Sequence, residues 1–125
     1  MKLLDTTVAV DHLRGAEAAA GLLERLMSED ENVAASEVMR FELLAGVGDT
    51  ELDALEEFFS ALSWIPVDEA VTRTAGLLAR RHWKASSGID DVDYLIAATA
   101  LVVDAELLTT NVRHFPMFGD LRAPY

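Results

Sequence analysis

The 125-residue chain contains no cysteine, which excludes disulfides and thiolate metal sites together. Cations are scarce as well. Ten Lys and Arg stand against 22 Asp and Glu, for a net charge of −12, so the chain is no protein that coats nucleic acid by bulk electrostatics, and any contact with a polyanion has to be local. Although 51% of the residues are hydrophobic, no apolar run approaches the roughly 18 residues of a membrane span, and that apolar share also excludes a disordered chain. The opening MKLLDTTVAVD carries an acid too early for the apolar core of a secretory signal, and a cytoplasmic location is expected. Repeats, low-complexity tracts and interdomain linkers are lacking. A single domain over 1–125 is expected, long enough to bury roughly two-thirds of the surface that its unfolded form exposes.

What is there alternates. KLLD reads as a short strand, and Thr6 or Thr7 can cap a following helix that stops at Gly15. A second helix, Glu17 to about Ser28, places Leu22, Leu23, Leu26 and Met27 at helical spacing, and NVAAS reads as a buried strand. Ser36 can cap EVMRFELLAG. In DTELDALEEFFSAL, Leu52, Leu55, Phe58, Phe59 and Leu62 form one stripe. SWIPV is a strand that Pro66 confines to an edge or a strand end. A long helix from about Glu69 toward Lys84 is broken by SSG, a helix opens at the DDVD stretch, AELLTT is the next strand, and LRAPY can add a last one. Strands alternating with helices predict an α/β fold, a mostly parallel central sheet with helices on both faces.

Ligands in such folds collect beyond the carboxyl ends of the strands. Asp5 stands at that end of the first strand, and Thr109, Thr110 and Asn111 stand at that end of a late one. Glu42 interrupts the apolar face formed by Val38, Met39 and Ala45, with Arg40 pointing the other way, and a carboxylate there requires a cation, an arginine partner or an elevated pKa. The stretch DDVDYLIAATALVVDAELLTT sets three aspartates before a helix that is apolar nearly all round, which delivers its first turn deep into the molecule. Asp93 projects along the Ala97 and Ala100 side, whereas Asp90 and Asp91 also suit capping and first-turn roles. Asp5, Glu42 and Asp93 are therefore expected to meet at one edge with polar help from Asn111. Oxygen donors without Cys or clustered His favour Mg²⁺ or Mn²⁺ over Zn²⁺, and a carboxylate-held cation of that kind suits phosphodiester hydrolysis.

LLDTTVAVDHL, SEVMRFELLAG and DYLIAATALVVDAELLTTNVRHF, in that order over essentially the whole chain, resemble the signatures of PIN-domain ribonucleases, specifically VapC-type toxins of toxin-antitoxin modules. The resemblance implies a three-layer PIN-like fold and a Mg²⁺- or Mn²⁺-dependent endoribonuclease acting on transfer or ribosomal RNA. It also implies a cognate antitoxin that holds the enzyme inactive, and a homodimer. Carried over by position, Asp5, Glu42 and Asp93 match the family carboxylates and metal ligands. A fourth family position, often Asp, is Asn111 here, which leaves Asp91 as a possible substitute ligand. Thr6, Thr109 and Thr110 look like supporting hydroxyls, with capping and strand-end bonding as the plainer reading.

Two other classes compete. A phosphoacceptor signalling domain also binds Mg²⁺ at strand ends, but it expects an acidic pair near the first strand and a lysine after the late one, where this chain has Asp5-Thr6 and Thr110-Asn111. A catalytically silent binding module, its acids serving caps and ion pairs, is opposed by Glu42 on its apolar face. ARRHWK, Arg80 to Lys84, with Arg113 and His114, can contact RNA or be a solvated helix end, and His114 beside Phe115 reads as a packing residue. Phe41, Leu43, Leu44, Phe58 and Phe59 exceed what one small sheet covers. They suit an antitoxin helix whose arginine reaches the acids, or a dimer interface.

Overall fold

The computed structural model describes residues 1–82 and 89–125. Trp83, Lys84 and the SSG break lie outside the described residues. Strands β1 (Lys2–Leu4), β2 (Val33–Ser36), β3 (Ser63–Ile65) and β4 (Glu106–Leu108) form one sheet in the order β3-β2-β1-β4, and every pairing is parallel. Helices α1 (Thr6–Leu13), α2 (Glu17–Ser28), α3 (Glu37–Gly46), α4 (Leu52–Ser60), α5 (Glu69–His82) and α6 (Asp91–Val102) supply the crossovers. Pro66 follows β3 directly, and β3 is an edge strand, as its missing N–H requires.

Strand side chains alternate between two cores. Leu4, Ala35 and Leu108 pack with Val8, Leu22, Leu26, Met39, Leu55 and Phe59 of α1 to α4. On the other face Leu3, Ala34 and Leu107 pack with Ile96, Ala97 and Ala100 of α6 and with Phe115. Helix α5 lies on the outside of α6, where Val71 and Ala75 meet Tyr94 and Ala98. Sandwiched between sheet and helix, α6 is apolar on opposite sides because both are covered, and its exposed residues lie at its ends, Asp91 at the first turn and Leu101 and Val102 at the last.

Several expectations are corrected. Residues 121–125 form no strand; Tyr125 instead donates its hydroxyl to Asp11 at 2.6 Å. Met27 and Leu52 sit at the borders of their apolar stripes and stay exposed, whereas Leu22, Leu23, Leu26, Leu55, Phe58 and Phe59 are buried. Ser36 caps α3 as expected, accepting from the Val38 N–H, but neither Thr6 nor Thr7 caps α1, whose N-cap is Asp5. Gly15, at φ +83°, follows the end of α1 in the left-handed region, which only glycine adopts without strain. Among the described residues no helix is long and apolar enough to cross a membrane.

Candidate active site

The chain runs outward from β1 through β2 to β3 and then returns to place β4 on the opposite side of β1. The connections therefore diverge between β1 and β4, and the carboxyl ends of those two strands open a crevice. A cleft of about 420 Å³ lies there, lined by Asp5, Thr6, Thr7, Val10, Asp11, Arg14, Glu42, Asp90, Val92, Asp93, Thr110, Asn111 and His114. Asp5, Glu42, Asp93 and Asn111, drawn from four separate segments, thus share one cavity, and Asp90 joins them. Asp91 does not: it is exposed on the first turn of α6 and lines no part of the cleft.

Each acid is held by short, local chemistry. Asp5 is buried, its backbone N–H tied to the Leu108 carbonyl at 2.9 Å. Its Oδ2 accepts from the hydroxyls of Thr109 at 2.6 Å and Thr7 at 3.1 Å. Thr109 in turn accepts the Asn111 N–H at 2.9 Å, which fixes the turn leaving β4. Glu42 Oε1 accepts the Thr6 hydroxyl at 2.6 Å. Asp90 and Asp93 form a reciprocal capping box on α6, each carboxylate accepting the other's N–H, at 3.0 and 3.3 Å. Asp93 Oδ2 also meets His114 Nδ1 at 3.0 Å. Of the expected hydroxyls, Thr6 and Thr109 support carboxylates, while Thr110 uses its backbone N–H, donating to Thr7.

Burial pushes the Glu42 carboxyl above its ordinary range, partly offset by the Thr6 hydroxyl and reinforced by the charges of Asp5 and Asp90. Burial also pushes Asp93 up, to about 6, with Asp90 and Asp5 adding repulsion against the opposing Asp90 N–H and His114. Both shifts have the sign expected of acids crowded around one cavity. The lining offers carboxylate, amide and hydroxyl oxygens, a donor set that fits a hard divalent cation. Among the described residues, no three His, Cys, Asp or Glu side chains form a ready ligand group; the acids surround the cleft, each engaged with its own support.

The Asp93 shift carries a stability consequence. The free carboxyl titrates at 3.8 and the folded one at about 6, so between those values the folded chain binds more protons, and the stability contributed by neutral Asp93 is present below pH 4 and lost as pH rises to 6. In EDTA, Asp93→Asn is expected to flatten that segment of the stability-pH profile by on the order of 1–2 kcal/mol. Parallel profiles for wild type and variant in thermal melts between pH 4 and 6 would contradict this.

A model of the PIN domain matches residues 2–118. Over all 125 residues and the whole of the relative, the chain is 66% identical to ribonuclease VapC19 of Mycobacterium tuberculosis (strain ATCC 25618 / H37Rv). The chain belongs to the PIN domain family. This PIN domain is of the VapC type: it is also 38% identical to ribonuclease VapC10 of the same strain, covering all of this chain and 93% of that one. VapBC2 from Rickettsia felis, solved bound to a DNA fragment from its promoter, superposes with a TM-score of 0.81 at 25% identity over 98% of this chain and 96% of that one.

Features of this PIN domain's site that a linear reading misses are Thr7, His114 and Arg14. Thr7 carries a signal, since it stands two positions after Asp5, but the sequence offers only capping for it. The His114 contact with Asp93 spans 21 positions and depends on where the turn after β4 falls.

Proposed function

We propose that this chain is the toxin of a type II toxin-antitoxin pair, a Mg²⁺- or Mn²⁺-dependent endoribonuclease that cuts transfer or ribosomal RNA in the cytoplasm. The observation that carries the reading is the meeting of Asp5, Glu42 and Asp93, from β1, α3 and α6, at the point where the sheet's connections diverge. The names of the relatives as ribonucleases support the same chemistry.

Asp5, Glu42 and Asp93 would hold the cation. Bound there, it supplies the Lewis acidity and positive charge for attack of water on a phosphodiester. The chain's own groups do the rest. Thr109 and Thr7 orient Asp5, Thr6 orients Glu42, and the Asp90 N–H and His114 orient Asp93. Asn111, fixed through its N–H to Thr109, presents an amide at the rim, where it binds or positions the water or the strand.

A groove of about 390 Å³ adjoins the acids, walled by Leu13, Leu43, Val47 and Leu55 and open to Glu42. It fits an amphipathic antitoxin segment, with an arginine reaching the acids in competition with the cation. Leu43, Phe58 and Phe59 are buried within this chain, whereas Phe41, 69% exposed, and Leu44, 40% exposed, remain for a partner, and the homodimer is assigned to such uncovered apolar surface. Expression of the chain is expected to halt growth, with relief from co-expression of a small adjacent reading frame. A growth-neutral outcome, with soluble folded protein present, would favour the silent binding module.

A further inference from the structure

Arg14 is the one Arg or Lys among the described residues that line the acidic cleft. It is the C-cap of α1 and continues the line of Thr6, Thr7, Val10 and Asp11, at spacings of three and four residues. At 1.5 Å of rise per residue it lies about 12 Å along the helix axis from Thr6. It is exposed, and none of the ion pairs among the described residues includes it. Asp11, three positions earlier and the natural helical partner for it, instead accepts the hydroxyl of Tyr125. Thr6, Val10, Arg14 and Glu42 also line the neighbouring groove, so Arg14 stands where a strand running from the acids along α1 has to pass.

Resting on the ribonuclease reading above, we propose that Arg14 binds a backbone phosphate of the RNA, next to the bond that is cut. The chain carries a net charge of −12 and repels a polyanion overall, so a guanidinium that no carboxylate neutralises is the local attraction the substrate requires. Its planar fork matches two phosphate oxygens at once. Such a contact displaces counterions from the strand, and each one adds about 0.7 to the slope of log affinity against log salt.

The test is fluorescence anisotropy of a labelled, mixed-sequence single-stranded RNA with Mg²⁺ present, in the Asp93→Asn background so that the strand is not consumed, over about a tenfold range of KCl. Adding Arg14→Ala is expected to weaken binding by about tenfold at low salt and to lower the slope by about 0.7, with the two proteins converging at high salt. Arg14→Lys, which keeps the charge, is expected to restore the slope. A slope unchanged by Arg14→Ala while the parent binds would overturn the assignment and leave the ribonuclease reading standing. If the parent shows no salt-dependent binding, the RNA reading of the whole cleft fails, and Arg14 with it.

Discussion

Asparagine at position 93 is expected to lower RNA cleavage by about 10²–10⁴-fold without unfolding the domain. Asp93 is tightly constrained in the cleft: its side chain is 13% exposed, it closes the capping box of α6, and it is pressed between the charges of Asp90 and Asp5. Asparagine keeps an oxygen that can accept the Asp90 N–H, so the first turn of α6 is preserved. It lacks the charge that would draw and hold the proposed cation. Because the native carboxyl is pushed up, removing its charge relieves repulsion, and the variant at neutral pH should melt at least as high as wild type in EDTA. Cleavage of single-stranded RNA and a thermal melt on the same preparation check both halves. Full cleavage by the folded variant, with contaminating ribonuclease excluded, would remove Asp93 from the machinery.

Phe115→Ala is expected to destabilise the protein by about 3–5 kcal/mol, a large part of the stability of a small domain. Phe115 is fully buried and packs with Leu3, Leu107, Ile96, Ala97 and Ala100 where the sheet meets α6. It closes the 3₁₀ turn Val112–His114, its N–H donating to the Val112 carbonyl at 3.0 Å. Asn111 precedes that turn and His114 ends it, so the ring is the peg that keeps both at the cleft. Alanine leaves a cavity that this well-packed interface cannot close. Urea unfolding measures the loss, and a cost under about 1 kcal/mol would mean that the turn is held some other way.

The carboxylates were legible because each one breaks a local pattern: Asp5 ends the short strand KLL, Glu42 sits among Val38 and Met39, and Asp93 precedes LIAA. Their convergence followed from the alternation of strands and helices, which places strand ends on one edge. The alternation left the order of strands open, and it is the position of β4 beside β1 that makes Thr109 a donor to Asp5. The hydroxyls carry two readings, carboxylate support and capping, for a physical reason. A helix N-cap and a carboxylate support call for the same residue types, and Asp5 took the N-cap position, freeing Thr6 and Thr7 for Glu42 and Asp5. His114 was read as packing, yet its neighbour Phe115 does the packing and turns the imidazole toward Asp93. Arg14 was invisible as a site residue because its face of α1 is set by where Thr6 and Thr7 point. The tail LRAPY has strand-like residues, but Pro124 lacks an N–H and Tyr125 finds its partner on α1.

The most direct test of the central claim is RNA cleavage by the purified protein after EDTA treatment, followed by addition of Mg²⁺ or Mn²⁺ in excess, with Asp93→Asn carried through in parallel. Cleavage should stop in EDTA and return with either cation in the wild type, and return in neither case for the variant. Cleavage that persists in EDTA at the wild-type rate, from protein free of other ribonucleases, would contradict a metal-dependent site built on Asp5, Glu42 and Asp93.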